Sequence, residues 1–111
     1  MKPIVRIYAD LENVWPWTPE AYPALSRLRE PGEVLAFKLH HALGHLHKSV
    51  GTMEAELEKV DHGGDILSLK TDQMTELIGK SLVDLFQIAK TAGVNPDELE
   101  AWLRNFLVTQ S

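Results

Sequence analysis

Hydrophobic residues recur along the middle of the chain at alternating spacings of four and three, with polar residues between them. This is the period of one face of an α-helix, and its phase passes through Gly51 without slipping. The pattern predicts one long helix over residues 33–61, about 40 Å at the usual rise per residue. Its apolar stripe consists of Leu39, Leu43, Leu46, Val50, Met53, Leu57 and Val60.

Two further helices follow from the same period and from the residues that punctuate it. "HGGD" ends the first helix, and "DILSL" is expected to form a short extended connection. A second helix is predicted over residues 72–92, with Thr71 as its N-cap. In "AGVNP", Asn95 can cap a third helix and Pro96 can begin it, which predicts a helix over 96–109.

The amino-terminal third has a different pattern. "IVRIY" is β-branched and aromatic and suits a short strand or an extended arm, and the proline-rich "ENVWPWTPEAYP" predicts irregular chain. Thr18 as N-cap with Pro19 after it predicts a short helix that stops before "EPG". Residues 1–111 are therefore expected to form one all-α domain, with an irregular arm and short helix over residues 1–32.

A stripe about eight turns long is difficult to cover with the short partners that this chain supplies. A second copy could cover it, and closed twofold dimers are the commonest homo-oligomers. The expected fold is an antiparallel helical bundle of two long helices and a C-terminal helix, completed by homodimerisation.

Composition narrows the class of partner. The chain has 111 residues, is 44% hydrophobic and carries a formal net charge of -5 with its 11 basic residues scattered, which argues against binding a nucleic-acid polymer. It has no cysteine, so a metal would need His, Asp, Glu or water. It has neither a signal-peptide pattern nor a run of about 18 apolar residues, so we expect no membrane contact and a cytoplasmic location.

The stretch "LHHALGHLH" holds four of the five histidines, and a helix divides them between two faces. His40 and His47 lie two turns apart, about 10 Å, and cannot bind one ion together. His41 and His45 lie four residues apart and can bind one ion together, although a metal site needs at least a third ligand. The alternative is that this pair is merely solvated or hydrogen-bonded.

Polar residues also interrupt the second predicted helix. Ser81 lies near the centre of its apolar stripe, where it either bonds back to the preceding turn or marks a polar pocket. Asp84 lies at the edge of that stripe. Trp15 and Trp17 flank Pro16 in the irregular segment, where they can anchor a partner or cover the bundle's own core.

The order of "KLHHALGHL", a glycine-containing turn, "SLVDLFQIAKTAGV" and "NPDELEAWLRNFL" resembles the MazG-like, all-α nucleoside triphosphate pyrophosphohydrolases over roughly residues 30–107. In that family, acidic residues of the two long helices hold magnesium against the triphosphate. Water then cleaves between the α and β phosphates to give a nucleoside monophosphate and pyrophosphate. The family's usual dimer agrees with the burial argument.

The resemblance implies which residues would form the site. His41 and His45 stand where the family carries glutamate, Ser81 stands at another such position, and Asp84 keeps its carboxylate. His41, His45 and Asp84 become candidate metal ligands, and Ser81 becomes a candidate substrate contact. The expected metal is Mg²⁺ or Mn²⁺, or a transition metal if the histidines are ligands.

Glu54 and Glu58 are candidate substrate contacts supplied across the dimer. The two functions that remain open are a divergent nucleotide pyrophosphohydrolase or nucleotide-binding relative, and a noncatalytic homodimeric interaction module that has lost the metal site.

Overall fold

The computed structural model describes residues 2–65 and 70–110, and the regular elements of this part are all helical. The all-α prediction is therefore confirmed for the described residues. Most of "DILSL" falls outside them. The elements are α1 (Pro3–Val14), a short 3₁₀ helix (Pro23–Arg27), α2 (Pro31–Asp61), α3 (Thr71–Thr91) and α4 (Pro96–Gln110).

Helices α2 and α3 form an antiparallel pair, the main contact between elements of the fold. Leu43 in the first half of α2 lies beside Ile88 near the end of α3, and Ser49 lies beside Asp84. Helix α2 ends where the sequence predicts, because Gly63 adopts a positive φ of 96° and lets the chain leave the helix.

The turn from α3 to α4 also follows the sequence. Gly93 has a φ of 83°, and the Val94 N–H bonds back to the Ala89 carbonyl at 2.9 Å. The Asn95 side chain accepts the N–H of Asp97 at 2.8 Å, so Asn95 caps α4 as predicted. Thr71, in contrast, is the first residue of α3 rather than its cap.

The predicted extended arm is wrong for residues 3–14, which form α1. The β-branched residues favour an extended chain locally, but Ile4, Tyr8 and Leu11 also share a helical face. Ile4 and Leu11 are buried, and the Tyr8 hydroxyl donates to the Val94 carbonyl at 3.0 Å. Packing against α3 and α4 therefore overrides the local preference, and Pro3 at the first turn is compatible with a helix start.

The segment after α1 is irregular as far as Tyr22, as its prolines predict. The short helix, however, begins at Pro23 rather than Pro19. Thr18 acts as a local cap, since its hydroxyl accepts the Ala21 N–H at 3.3 Å, but this closes a single turn.

The buried line of α3 is mostly polar. Among the described residues the buried apolar side chains are few: Ile4, Leu11, Ala42 and Leu77. Ser81, Asp84 and Gln87 are also buried, and they follow Leu77 along the face of α3 that meets the rest of the chain. No helix in the described ranges is long and apolar enough to cross a membrane.

Candidate functional site

Asp84 is the carboxylate at the centre of the candidate site, on the buried face of α3. Only 6% of the residue is exposed, and the Ser49 hydroxyl donates to its Oδ2 at 3.3 Å from α2. Burial raises the pKa of Asp84, while the Ser49 hydrogen bond and the nearby His45 oppose that rise. Ser49 and His45 therefore offset only part of the cost of burying a negative charge on Asp84.

His41 and His45 are brought together on one face of α2. Their Nε2 atoms lie 3.1 Å apart, so one imidazole donates a hydrogen bond to the other. Burial lowers the pKa of His41, and the proximity of His45 lowers it further. Two positive imidazoles could not keep this hydrogen bond, because each would then lack an acceptor nitrogen.

Aromatic rings contact both histidines of the pair. Trp15 meets His45 edge to face with ring centroids 5.2 Å apart, and Tyr22 meets His41 at 4.8 Å. Trp17 contacts both the indole of Trp15 and the ring of Tyr22, with ring centroids 5.5 Å and 4.9 Å apart respectively. The irregular segment after α1 thus covers this face of α2.

Both tryptophans are held by internal hydrogen bonds. The Trp15 indole donates to the Tyr22 hydroxyl, and the Trp17 indole donates to Thr91 Oγ1 at 3.1 Å. The fully buried Gln87 donates through Nε2 to the Trp15 carbonyl at 3.0 Å. These half-buried rings therefore cover the chain's own helices, although each keeps part of its surface in solvent.

An open cleft of about 630 Å³ runs beside Asp84, between α2, α3 and the irregular segment. We call it the aromatic cleft, because Trp15 and Tyr22 line it together with His45, Ser49 and Asp84. Its outer part includes Glu76 and Lys80, which pair at 2.9 Å. Its size is typical of small-molecule sites, and its walls combine apolar rings with a few polar groups.

The structure brings some of the predicted site residues to this cleft and not others. His45, Asp84 and Trp15 line the cleft, whereas His41 does not line it and reaches it only through its hydrogen bond with His45. Ser81 donates to the Leu77 carbonyl at 2.9 Å, which is the back-bonded alternative. Glu54 and Glu58 are exposed on the second half of α2 and do not line the cleft.

The donor set does not fit a magnesium site. Mg²⁺ requires oxygen ligands in octahedral geometry, whereas the site offers one buried carboxylate, Asp84, beside two imidazoles, and Glu76 in the outer part is paired with Lys80. Within residues 2–65 and 70–110, no three His, Asp or Glu side chains lie close enough to hold one ion. His41 and His45 supply the ligand type of a transition ion, but a third ligand does not come from the described residues.

Sequence reasoning missed Ser49, Gln87 and Tyr22. Ser49 carried a signal, since it continues the spacing of four from His41 through His45 on the same face of α2. Gln87 continues the polar line of Ser81 and Asp84 by three residues. Tyr22 carried no such signal in the sequence, because its position depends on the path of an irregular segment.

Comparison with known proteins identified no relative of this chain. No protein-family model, curated protein or solved structure matches it.

Proposed function

We propose that the protein is a divergent, homodimeric relative of the MazG-like pyrophosphohydrolases that binds a nucleoside triphosphate in the aromatic cleft. The observation that carries the proposal is the buried Asp84 carboxylate beside a cleft walled by Trp15 and Tyr22. Hydrolysis to a nucleoside monophosphate and pyrophosphate is the reaction that the resemblance implies for such a ligand.

The aromatic wall of the cleft favours the binding of a planar ligand such as a nucleobase. Trp15 is partly exposed and its backbone is fixed by Gln87, so a base can stack on the indole without an ordering cost at that position. Stacking of one base on an aromatic side chain contributes about 1 to 3 kcal/mol.

Polar groups beside the aromatic wall can bind the ribose and the phosphates of a nucleotide. Asp84 is held by Ser49 on one oxygen, which leaves acceptor capacity for ribose hydroxyls or base N–H groups. Lys80 is exposed at the outer part of the cleft and can move from Glu76 to a phosphate, because an exposed ion pair of this kind is weak.

Nucleotide binding is testable through tryptophan fluorescence. Titration with each common nucleoside triphosphate, with and without Mg²⁺ or Mn²⁺, should change the emission of Trp15. Trp15→Leu should weaken binding by roughly five-fold or more, the equivalent of one stacked base. Trp102→Leu is the matched control, because Trp102 lies on α4 and does not line the cleft.

The proposal fails if no nucleotide binds under any of these conditions, or if the two tryptophan variants lose equal affinity. Released pyrophosphate is measured on the same samples. If turnover occurs, loss of the Asp84 carboxylate in Asp84→Asn should reduce it strongly, while circular dichroism checks that the variant is folded.

A second copy of the chain is the partner that we propose for the apolar faces of the bundle. Ile78, Leu82 and Leu85 on α3 and Val50 on α2 are each between 45% and 48% exposed. The accessible surface is 8036 Å², about 1,900 Å² more than a compact monomer of this size exposes. A standard interface buries only about 800 Å² per partner.

The shape supports the same proposal. The radius of gyration is 17.2 Å, against about 13 Å for a compact domain of this length. Sedimentation equilibrium at micromolar concentration should therefore give twice the chain mass. A strict monomer over that range would contradict it.

The noncatalytic interaction module is the second candidate, and the exposed apolar residues of α4 favour it. Trp102 and Phe106 stack with ring centroids 5.2 Å apart, and Leu107 beside them is 65% exposed. A dimer that binds no nucleotide under the conditions above would favour the module over the nucleotide-binding relative.

A further inference from the structure

A second cleft, on the other side of the two tryptophans, has the opposite electrostatic character. It is an open space of about 560 Å³ where the end of α1, the start of α2 and the end of α3 meet. We call it the cationic cleft. Its charged lining residues are Arg29, Lys38, Lys90 and Glu12.

Two of these positive charges have no partner in the chain as described. Glu12 pairs with Lys90, which fixes the Lys90 ammonium at the back of the cleft with only 19% of its side chain exposed. Among the described residues, no carboxylate forms an ion pair with Arg29 or Lys38. The cleft therefore has an excess of two positive charges, in a chain whose formal net charge is -5.

The remaining walls strengthen an interaction with an anion. Trp17, Val34 and Leu35 line the cleft, and such apolar walls reduce the screening of charges beside them. Pro31, also in the wall, starts α2, whose first turn has no side-chain cap and so directs unpaired N–H groups to this end of the helix. Glu30 and Glu33 lie near that turn but do not line the cleft.

We propose that the cationic cleft binds a phosphate-bearing anion, with Arg29 and Lys38 as the groups that contact it. Arginine matches two phosphate oxygens through its planar guanidinium, and lysine adds a mobile ammonium. Lys90 lies behind them and contributes its charge while remaining paired with Glu12. The proposal does not require a nucleotide in the aromatic cleft, since a free phosphate compound would satisfy it as well as the phosphates of a nucleotide.

Calorimetric titration with inorganic tripolyphosphate tests the site without a nucleobase. The full chain should bind it, and affinity should fall as salt rises, because exposed charges are screened. Arg29→Gln combined with Lys38→Gln should weaken binding by about tenfold or more, since each tenfold step corresponds to about 1.4 kcal/mol.

The matched control is Lys59→Gln combined with Arg104→Gln. This variant also removes two positive charges, but at exposed positions outside the cleft. It should change the affinity for tripolyphosphate by less than about twofold. Thermal unfolding of both double variants verifies that they remain folded.

Two results would overturn the proposal: absence of tripolyphosphate binding by the unmodified chain, or an equal loss in the two double variants. Titration with a nucleoside triphosphate and with its nucleoside then identifies the source of the phosphate. If the Arg29 and Lys38 variant loses affinity for the triphosphate but not for the nucleoside, the cleft holds the nucleotide's phosphates. If it loses affinity for tripolyphosphate alone, the ligand is a free phosphate compound. Nucleoside binding without tripolyphosphate binding would leave the aromatic cleft supported and remove the cationic one.

Discussion

The two faces of α3 show an inverted pattern of burial. The face turned towards the rest of the chain buries Ser81, Asp84 and Gln87, at 8%, 6% and 0% exposure. The neighbouring face leaves Ile78, Leu82 and Leu85 about half exposed. We call the first set of three residues the polar line and the second set the apolar line. Apolar burial is the main favourable term in folding, so a helix that buries its polar line must cover its apolar line by other means.

The difference separates two roles of the same helix. Of the polar line, Asp84 lines the aromatic cleft and accepts a hydrogen bond from Ser49 of α2. Gln87 holds the irregular segment through the Trp15 carbonyl. The apolar line contributes little to the chain's own core. We infer that site and interface share α3 while facing different directions, so each can be altered separately.

The largest effect is expected from a charge on the apolar line. Leu82→Glu would place a carboxylate in the proposed interface, where an unpaired charge costs several kcal/mol, and should convert the dimer to monomer. Gln73→Glu, an exposed position earlier on α3, is the control. Light scattering after size exclusion measures both. If Leu82→Glu leaves the mass unchanged, Leu82 does not lie in an interface.

The second effect tests the polar line at Gln87. Gln87→Ala removes the donor to the Trp15 carbonyl and leaves a cavity, which should lower the free energy of unfolding by about 2 to 3 kcal/mol. Gln87→Leu also removes that donor, but it fills the space and removes Oε1, a buried acceptor without a partner among the described atoms. It should therefore lower the free energy of unfolding by less than Gln87→Ala does.

Urea unfolding measures the stability of both Gln87 variants, and tryptophan emission reports whether Trp15 has moved. If the alanine variant is as stable as the unmodified chain, Gln87 does not stabilise the segment that covers the cleft.

Asp84→Asn should have a smaller effect and the opposite sign. Burial raises the pKa of Asp84, so ionising it costs stability, and this cost grows as pH rises through the raised pKa. An amide keeps an acceptor for Ser49 without the charge, and should raise the free energy of unfolding at pH 7 by less than Gln87→Ala lowers it. Below the ordinary pKa of aspartate the gain should disappear. A loss of stability at pH 7 would mean that His45 and Ser49 more than compensate for burial.

The sequence predicted α2, α3 and α4 because their periodicity and their glycine, asparagine and proline signals agree. It failed for α1, where β-branched residues hid a helical face whose burial comes from α3 and α4. The approach of His41 and His45 was predictable, since four residues on a helix bring two side chains together. The closure of the cleft by Trp15 and Tyr22 was not, because an irregular segment has no period from which to infer its path.

The smallest effect concerns the imidazole pair, in which His41 is half-buried against the rings of Trp17 and Tyr22. The pKa of His41 is lowered from 6.5 by burial and by His45, so the unfolded chain binds its proton more readily than the folded chain does. Stability from this group is complete above about pH 6.5 and is lost as pH falls through the lowered pKa. The melting temperature should therefore decrease between pH 7.5 and 5.5, and His41→Gln should show a shallower decrease than His40→Gln, an exposed histidine beside it. Parallel profiles for the two variants would show that the hydrogen-bonded pair does not contribute to the acid sensitivity of the fold.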